Sequence, residues 1–287
     1  MPTSAELGAR LASVGYLTDE ALATALFLAV RMAQPILLEG EPGVGKTEAA
    51  KSLARALDTV LIRLQCYEGL SSADALYEWN YPRQLLGIRL AEARGATVSE
   101  ADLFSEDYLL ARPLLAAIEH PGPRPAVLLI DEVDRADDEF EAFLLELLAE
   151  ATVTIPELGT RRARFAPLTV LTSNRTRELH DALKRRCLYH WIAHPDVERV
   201  AAIIRLRVPG VADWLAGRVA RSVQRLRGLE LYKPPGIAEA INWASALHVL
   251  GIEELDEPAV RRTMSAVLKY EEDRALAEGS LAEVAGD

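Results

Sequence analysis

Pro35-Ile36-Leu37-Leu38-Glu39-Gly40-Glu41-Pro42-Gly43-Val44-Gly45-Lys46-Thr47 is the stretch of this 287-residue chain that decides its fold. Ile36 to Leu38 is a short apolar run typical of a buried strand. From Thr47 onward the apolar residues have the spacing of an amphipathic helix. Between them, Gly40-x-x-x-x-Gly45-Lys46-Thr47 fits the phosphate-binding loop, in the strand–loop–helix context that this motif requires. A chance glycine turn would not combine these residue types, this spacing and these flanking elements.

Each residue type in this loop suits the binding of phosphate. Glycines let successive backbone N–H groups turn toward one anion, and the helix that follows presents its positive end to the same anion. We expect Lys46 to reach the outer phosphates and the Thr47 hydroxyl to bind Mg²⁺. The sequence therefore predicts a bound nucleotide and Mg²⁺, held by Gly40, Glu41, Pro42, Gly43, Val44, Gly45, Lys46, Thr47 and Glu48.

The composition limits the classes of protein that fit. Half of the residues are hydrophobic, enough for a sizeable core, and the formal net charge is −11. This acidic balance disfavours a general nucleic-acid binder, which usually has a basic face. Cys66 and Cys187 have neither metal-ligand spacing nor a disulfide framework, as expected in a reducing cytoplasm. No signal peptide and no apolar run long enough to span a bilayer is evident, so we expect a soluble, cytoplasmic protein.

A second motif follows a continuous apolar run, Ala126 to Ile130, which is typical of a central parallel strand. The run ends in Asp131-Glu132, and the carboxyl ends of central strands are where α/β sheets bind ligands. Asp131 is expected to be a ligand of Mg²⁺, usually through water, and Glu132 to polarise the attacking water as the catalytic base. The alternative is a helix N-cap followed by a solvated acid.

Two further stretches are candidate parts of the site. Leu168 to Thr172 is predicted to be a strand that leads into Ser173-Asn174, where the Asn174 amide could position a water molecule; an ordinary turn asparagine is the alternative. Lys184-Arg185-Arg186 closes a short predicted helix. On the residues alone, these cations are best interpreted as stabilising the carboxyl end of that helix.

The remaining pattern predicts an α/β fold, with a parallel sheet flanked by helices in residues 1–194 and a small all-helical domain in residues 195–287. Thr18 is the expected N-cap of a helix that runs to about Met32. Hydrophobic spacing predicts helices over 84–94 and over 106–119. Trp79 to Pro82 has the composition of a turn, and residues 152–165 that of a β-hairpin.

Together these motifs resemble those of the AAA+ ATPases, and among them the MoxR type, over roughly residues 18–250. The long segment between the second strand and Asp131 is similar to the helix-2 insert of that clade. More narrowly, several stretches resemble the CoxD subgroup, which is tied to maturation of the metal centre of carbon monoxide dehydrogenase. These stretches are Arg63 to Gly69, Tyr77 to Tyr81, Ser173 to Glu178 and Asp181 to Cys187.

The resemblance implies roles by position. The cofactors that it implies are ATP and Mg²⁺. Lys46 and Thr47 would bind phosphate and magnesium, Asp131 would be a metal ligand and Glu132 the catalytic base. Asn174 resembles the first sensor of nucleotide. Arg186, just before the last predicted strand, resembles the arginine finger that reaches a neighbouring subunit, with Arg185 as the alternative.

The resemblance also implies an assembly and a client. It implies a ring oligomer, expected to be a hexamer, that acts as a chaperone on a client metalloenzyme such as a molybdenum hydroxylase. A von Willebrand A-type partner can accompany this family, and neither nucleic acid nor a membrane span is expected. One departure stands out: the family's second-sensor arginine has no counterpart in Pro234 to Glu239, and Lys233 is not an equivalent fork of donors.

Three other functions fit parts of the pattern. A small-molecule kinase would transfer phosphate to an acceptor, and it would have no use for a subunit-spanning arginine. A nucleotide-gated binding module would hydrolyse ATP negligibly, which the intact Asp131-Glu132 pair disfavours. A helicase or DNA-loading role is disfavoured by the acidic balance, and the salt dependence of DNA binding would test it.

Overall fold

The computed structural model describes residues 3–286. They form two compact units. Unit 1 consists of residues 3–10, Asp19–Glu39 and Thr47–Trp191, and unit 2 consists of Leu11–Thr18, Gly40–Lys46 and residues 192–286. Unit 1 has a mixed α/β architecture, whereas the C-terminal part of unit 2 is helical.

The strands all belong to unit 1. They are β1 (Ile36–Glu39), β2 (Leu61–Gln65), β3 (Tyr77–Trp79), β4 (Leu109–Ala111), β5 (Val127–Asp131), β6 (Thr152–Ile155), β7 (Gly159–Arg162), β8 (Leu168–Ser173) and β9 (Leu188–Trp191).

The helices occur along the described chain. They are α1 (Ser4–Ser13), α2 (Glu20–Met32), α3 (Lys46–Leu57), α4 (Ser72–Leu76), α5 (Tyr81–Ala93), α6 (Glu100–Leu103), α7 (Pro113–Ile118), α8 (Asp138–Glu150), α9 (Asp181–Arg186), α10 (Val197–Arg207), α11 (Asp213–Gly228), α12 (Ile237–Val249), α13 (Glu257–Val267), α14 (Glu271–Glu278) and α15 (Leu281–Ala285). Short 3₁₀ helices span Glu106–Tyr108 and Val133–Arg135.

A parallel sheet of five strands, in the order β2-β5-β8-β1-β9, forms the centre of unit 1. Every residue of β1 and of β5 is buried. Such continuous burial is what a central parallel strand covered on both faces requires. The predicted α/β class with a parallel sheet flanked by helices is therefore confirmed. The carboxyl ends of β5 and β8 lie side by side, which places Asp131 near residues 172–174.

The predicted helix over residues 106–119 is wrong. The chain there forms a 3₁₀ turn, then strand β4, then helix α7. Pro113 is the physical reason, because proline disfavours helical geometry in the residue before it but suits the first position of a new helix. Leu109 to Ala111 instead pair antiparallel with β3.

Two predicted boundaries also need correction. Asp19, not Thr18, caps helix α2, and its Oδ1 accepts a hydrogen bond from the Leu22 amide at 2.7 Å. The predicted turn around Trp79 to Pro82 is the end of β3 followed directly by α5. Asn80 caps that helix, and Pro82 fits its first turn, where no backbone N–H is needed.

The C-terminal helices of unit 2 surround their own hydrophobic core. Trp243 is fully buried in it, and its Nε1 donates to the Thr263 hydroxyl at 2.7 Å. This agrees with the predicted all-helical pattern beyond residue 195. Within residues 3–286, no helix is long and apolar enough to cross a membrane.

Candidate active site

The loop between β1 and α3 takes backbone conformations that favour glycine. Gly40, Gly43 and Gly45 have φ of +156°, +82° and +97°. A β-carbon at Gly40 would lie 2.3 Å from the Ile192 carbonyl oxygen, and one at Gly43 would lie 2.9 Å from the Gly236 Cα. Positive φ therefore favours glycine at all three positions, and close contacts exclude a β-carbon at Gly40 and Gly43.

Lys46 is buried inside this loop. Its Nζ donates to the carbonyl oxygens of Gly40 at 2.7 Å and of Glu41 at 2.8 Å. A buried ammonium within a turn of backbone N–H groups is a fitting environment for a polyphosphate anion. Lys46 begins helix α3.

Thr47, the next residue, belongs to a polar cluster at the carboxyl end of β5. Its hydroxyl donates to Asp131 Oδ1 at 2.9 Å, and the Thr172 hydroxyl donates to the same oxygen at 2.5 Å. The Asp131 side chain is only 2% exposed. A hydroxyl and a carboxylate in contact supply the hard oxygen ligands that Mg²⁺ prefers. The predicted metal ligands are therefore brought together.

Arg63 of β2 is a component of this cluster that the sequence analysis did not identify. Its Nε and Nη2 donate to Asp131 Oδ2 at 3.0 and 2.6 Å. Strand register places Gln65 opposite Asp131, so Arg63 lies two residues earlier, on the same face. The polar Arg63-Leu64-Gln65 alternation in a predicted strand was the available signal.

Glu132 follows β5 in a left-handed conformation, with φ of +55°. Its backbone N–H donates to the Thr172 hydroxyl at 2.9 Å, which links it to the Asp131 cluster. The carboxylate is 35% exposed and lies 3.4 Å from the guanidinium of Arg135. A non-glycine residue with positive φ is uncommon, and such conformations concentrate at functional sites.

The turn that carries Asn174 is fixed by Asp134, another residue that the sequence analysis did not identify. Buried Asp134 accepts hydrogen bonds from the backbone N–H groups of Asn174 at 3.2 Å and Thr176 at 2.8 Å, and from the Thr176 hydroxyl at 2.7 Å. The structure records no hydrogen bond from the Asn174 side chain within the described chain. Its amide is therefore free to contact water or phosphate.

The two candidate finger arginines differ in their contacts. Both are exposed at the end of α9. Arg186 donates to the Leu145 carbonyl at 3.0 Å, whereas the Arg185 side chain makes no hydrogen bond or ion pair within residues 3–286. Lys184 pairs with Glu178 at 3.3 Å.

The Cys66 thiol lies close to these carboxylates. Burial, and then the negative charges of Asp131, Asp134 and Glu132, raise its pKa to about 12. The thiol is therefore protonated at neutral pH and packs as a small apolar group rather than acting as a nucleophile.

In unit 2, the phosphate loop is contacted by side chains from outside it. Glu41 accepts from His194 Nε2 at 2.8 Å. Arg227, in the last turn of α11, donates through Nε to the Pro235 carbonyl at 2.7 Å. Its Nη2 is buried without a partner in the described chain. Burial lowers the Arg227 pKa, while the nearby charges of Glu41 and Glu239 favour its charged form.

This arrangement bears on the missing second-sensor arginine. No arginine is present at the start of α12, as the sequence indicated. Arg227, which precedes that helix by about ten residues in the chain, instead supplies a buried guanidinium beside the loop. Position in the sequence could not indicate this, because Arg227 stands among several other arginines on α11.

Comparison with known proteins identifies the family. Residues 35–187 match the family model described as AAA domain (dynein-related subfamily). The chain belongs to this family. Over 129 residues it is 34% identical to Lon protease from Halothermothrix orenii, a match that covers 42% of this chain and 13% of that protein. The chain thus spans about an eighth of the length of this curated relative.

Solved structures of RuvB are similar to this AAA protein in fold. The RuvB Holliday junction branch migration motor of Thermotoga maritima gives a TM-score of 0.50 at 20% identity, covering 86% of this chain and 69% of that one. An alanine-to-serine RuvB mutant of the same organism gives 0.53 at 21%, covering 87% and 70%. At these sequence identities the similarity supports the AAA+ fold and nothing beyond the fold.

Proposed function

We propose that this AAA protein binds ATP with Mg²⁺ and hydrolyses it to ADP and phosphate. The observation that carries the proposal is one hydrogen bond. The hydroxyl of Thr47, the residue after the loop lysine, contacts the buried carboxylate of Asp131. The family supports it, because its members are typically ATPases. Mg²⁺, when bound, would supply positive charge against the outer phosphates.

Each residue of the candidate site has a defined part in this proposal. Lys46 neutralises phosphate charge, and Thr47 with Asp131 holds the metal. Glu132, whose carboxylate reaches solvent, accepts a proton from the attacking water. The Asn174 amide orients that water, with Asp134 fixing the turn that carries it.

Arg227 is proposed as the guanidinium that senses nucleotide in unit 2. Its partnerless Nη2 and its position near Glu41 support this role. An anion at the loop would supply the acceptor that this group lacks, since a buried donor without a partner is unfavourable. Arg227 would therefore replace the arginine that the start of α12 does not provide.

At the level of biology, we propose a ring oligomer of the MoxR type that remodels a client protein. The stretches that resemble the CoxD subgroup support metal-centre maturation of a molybdenum hydroxylase as the task. A strain that lacks the protein would then make such an enzyme with an incomplete metal centre. Fully active and fully metallated enzyme from the deletion strain would overturn this part of the proposal.

The hydrolytic activity is tested with two variants. Lys46→Ala should abolish tight ATP binding, because the phosphates lose a buried cation. Glu132→Gln should bind ATP but release phosphate at least roughly a hundredfold more slowly, because an amide cannot take the proton. Binding is measured calorimetrically and turnover by phosphate release.

Matched controls lie nearby in the chain. Lys51→Ala removes another lysine of α3, and Glu139→Gln removes an exposed carboxylate of α8. Both should behave as wild type. If Glu132→Gln turned over at the wild-type rate, Glu132 would not be the base; if no phosphate were released by wild type under any condition, the binding-module function would replace hydrolysis.

A further inference from the structure

The carboxylate of Asp131 is already saturated with donors. Oδ1 accepts from two hydroxyl groups, and Oδ2 accepts from two nitrogens of a single guanidinium, that of Arg63. The second contact is a charge-assisted one, which is roughly twice as strong as a neutral hydrogen bond. Asp131, an expected metal ligand, is therefore already paired through Oδ2 with a cation of the protein, Arg63.

The two partners of this pair differ in their freedom to move. The Asp131 side chain is 2% exposed and fixed by Thr47 and Thr172, whereas the Arg63 side chain is 45% exposed. Arg63 lies on β2, an outer strand of the central sheet. Its Nη2 also contacts Gln65 Oε1. A displaced guanidinium would thus keep a neighbouring acceptor and access to solvent.

Magnesium and Arg63 need the same negative charge. A divalent cation bound at Asp131 would share that carboxylate with a guanidinium whose Nη2 lies 2.6 Å from Oδ2. Two cations on one carboxylate repel each other strongly where water is largely excluded. The favourable arrangement for each cation is the one in which the other is absent.

We propose that Arg63 competes with Mg²⁺ for Asp131, neutralising the carboxylate when no metal is present and leaving Oδ2 when the metal binds. Arg63 then sets the magnesium affinity of the site and prevents a buried, uncompensated charge between turnovers. The inference rests on the proposed function, because it takes Asp131 to be a metal ligand.

The test measures metal affinity directly. Mn²⁺ is titrated into wild type, Arg63→Gln and Arg63→Lys, each saturated with ADP, and free Mn²⁺ is followed by electron paramagnetic resonance. Arg63→Gln should bind Mn²⁺ roughly tenfold more tightly or better, given the strength of hydrogen bonds to charged groups. Arg63→Lys should lie between, because it keeps the charge but loses the fork of donors.

A second measurement compares thermal stability with and without metal, since the Arg63–Asp131 pair is proposed to exist only in the metal-free protein. Arg63→Gln should lower the melting temperature of the metal-free protein more than that of the metal-loaded protein. Arg112→Gln is the matched control, because it removes an exposed guanidinium of unit 1 that pairs with Glu78 and not with Asp131. It should leave Mn²⁺ affinity unchanged.

The outcomes separate the inference from the function. If wild type and Arg63→Lys bind Mn²⁺ equally while Arg63→Gln binds more tightly, the positive charge alone weakens metal binding. That result would overturn the proposal that the metal displaces Arg63 from Asp131. Equal affinity in all variants also overturns it. If wild type binds no Mn²⁺ with nucleotide, the proposed function itself fails, and the competition fails with it. Should Arg63→Gln not fold, Arg63→Lys alone decides.

Discussion

His194 is a single imidazole whose surroundings decide its charge. Its side chain is 22% exposed, Nε2 contacts the Glu41 carboxylate, and Nδ1 is buried without a partner in the described chain. Burial, and then the positive charges of Arg227 and Lys46, lower its pKa below the ordinary 6.5, although Glu41 opposes them. Because a carboxylate only accepts, the neutral ring carries its proton on Nε2.

The first prediction concerns stability and pH. Above pH 6.5 the imidazole is neutral in the folded and the unfolded chain. As the pH falls below 6.5 the unfolded chain takes up a proton that folded His194 does not. The free energy of unfolding therefore falls, by at most about 1.4 kcal/mol per pH unit, until the lowered folded pKa is passed.

The comparison is with His194→Gln, which can still donate to Glu41 but does not titrate. Urea unfolding from pH 7.5 to 5 should show wild type losing its advantage over the variant as the pH falls. His190, whose pKa burial also lowers, is present in both proteins and cancels. Parallel pH profiles would show that His194 titrates normally in the folded state.

Some residues of the candidate site could be predicted from the sequence and others could not. Lys46, Thr47 and Asp131 were predicted because their types and spacing are fixed by the chemistry of phosphate and metal. Arg63 and Asp134 were not, because each contacts a distant part of the chain, and Arg227 was not, because only the fold brings its charge near that of Glu41. The Arg63–Asp131 contact spans 68 positions, and no local pattern encodes it.

Among the elements of unit 2, the start of α12 and the phosphate loop are in direct backbone contact. The Ile237 amide donates to the Gly43 carbonyl at 3.0 Å, and the Gly236 amide donates to the Glu239 carboxylate at 3.0 Å. Two glycines thus allow two backbones to approach closely, a role distinct from phosphate binding.

The second prediction compares two loop glycines. Gly43→Ala places a β-carbon 2.9 Å from the Gly236 Cα, whereas the nearest atoms to a β-carbon at Gly45 are 3.8 Å away. Both positions have positive φ, so both variants carry a conformational penalty of roughly 1–2 kcal/mol. Only Gly43→Ala must also displace the start of α12.

Thermal unfolding of the nucleotide-free protein checks this difference. Gly43→Ala should melt lower than Gly45→Ala, by about 2–4 °C for each additional kcal/mol in a chain of this size. The comparison without nucleotide keeps phosphate binding out of the result. Equal melting temperatures would mean that the loop and α12 separate at no cost in stability.

The elements that sequence patterns predicted best were those with long periodic runs. The central strands and the C-terminal helices were predicted because burial imposes a period along many residues. The region 106–119 was mispredicted because three short elements share one apolar run, and Pro113 divides them. There the pairing of β4 with β3 outweighs helical spacing.

At the scale of the whole molecule, the arginines at the end of α9 lie on a helix that is anchored to the rest of unit 1. The start of that helix is fixed by buried Glu141, which accepts from the His180 amide at 2.9 Å and contacts Arg177. This anchoring gives Arg185 and Arg186 a defined base while their side chains remain exposed. AAA proteins typically form oligomeric rings.

The last prediction is that hydrolysis requires two subunits. A guanidinium from a neighbour would neutralise charge that develops on the transferred phosphoryl group, and such fingers contribute about a thousandfold or more in rate. Hydrolysis per subunit should therefore rise steeply with protein concentration. Arg186→Ala should bind ATP nearly normally but hydrolyse it slowly, because within residues 3–286 the side chain makes one exposed hydrogen bond, to the Leu145 carbonyl.

Mixing two inactive variants makes the requirement specific. Arg186→Ala keeps an intact loop, and Lys46→Ala keeps an intact arginine, so some interfaces in a mixture would pair the two and restore activity. Arg185→Ala is the matched control. A larger loss of hydrolysis in this variant would mean that Arg185, and not Arg186, is the arginine finger. Specific activity independent of concentration down to the monomer, or no rescue in mixtures shown to co-assemble, would mean that one subunit completes its own site.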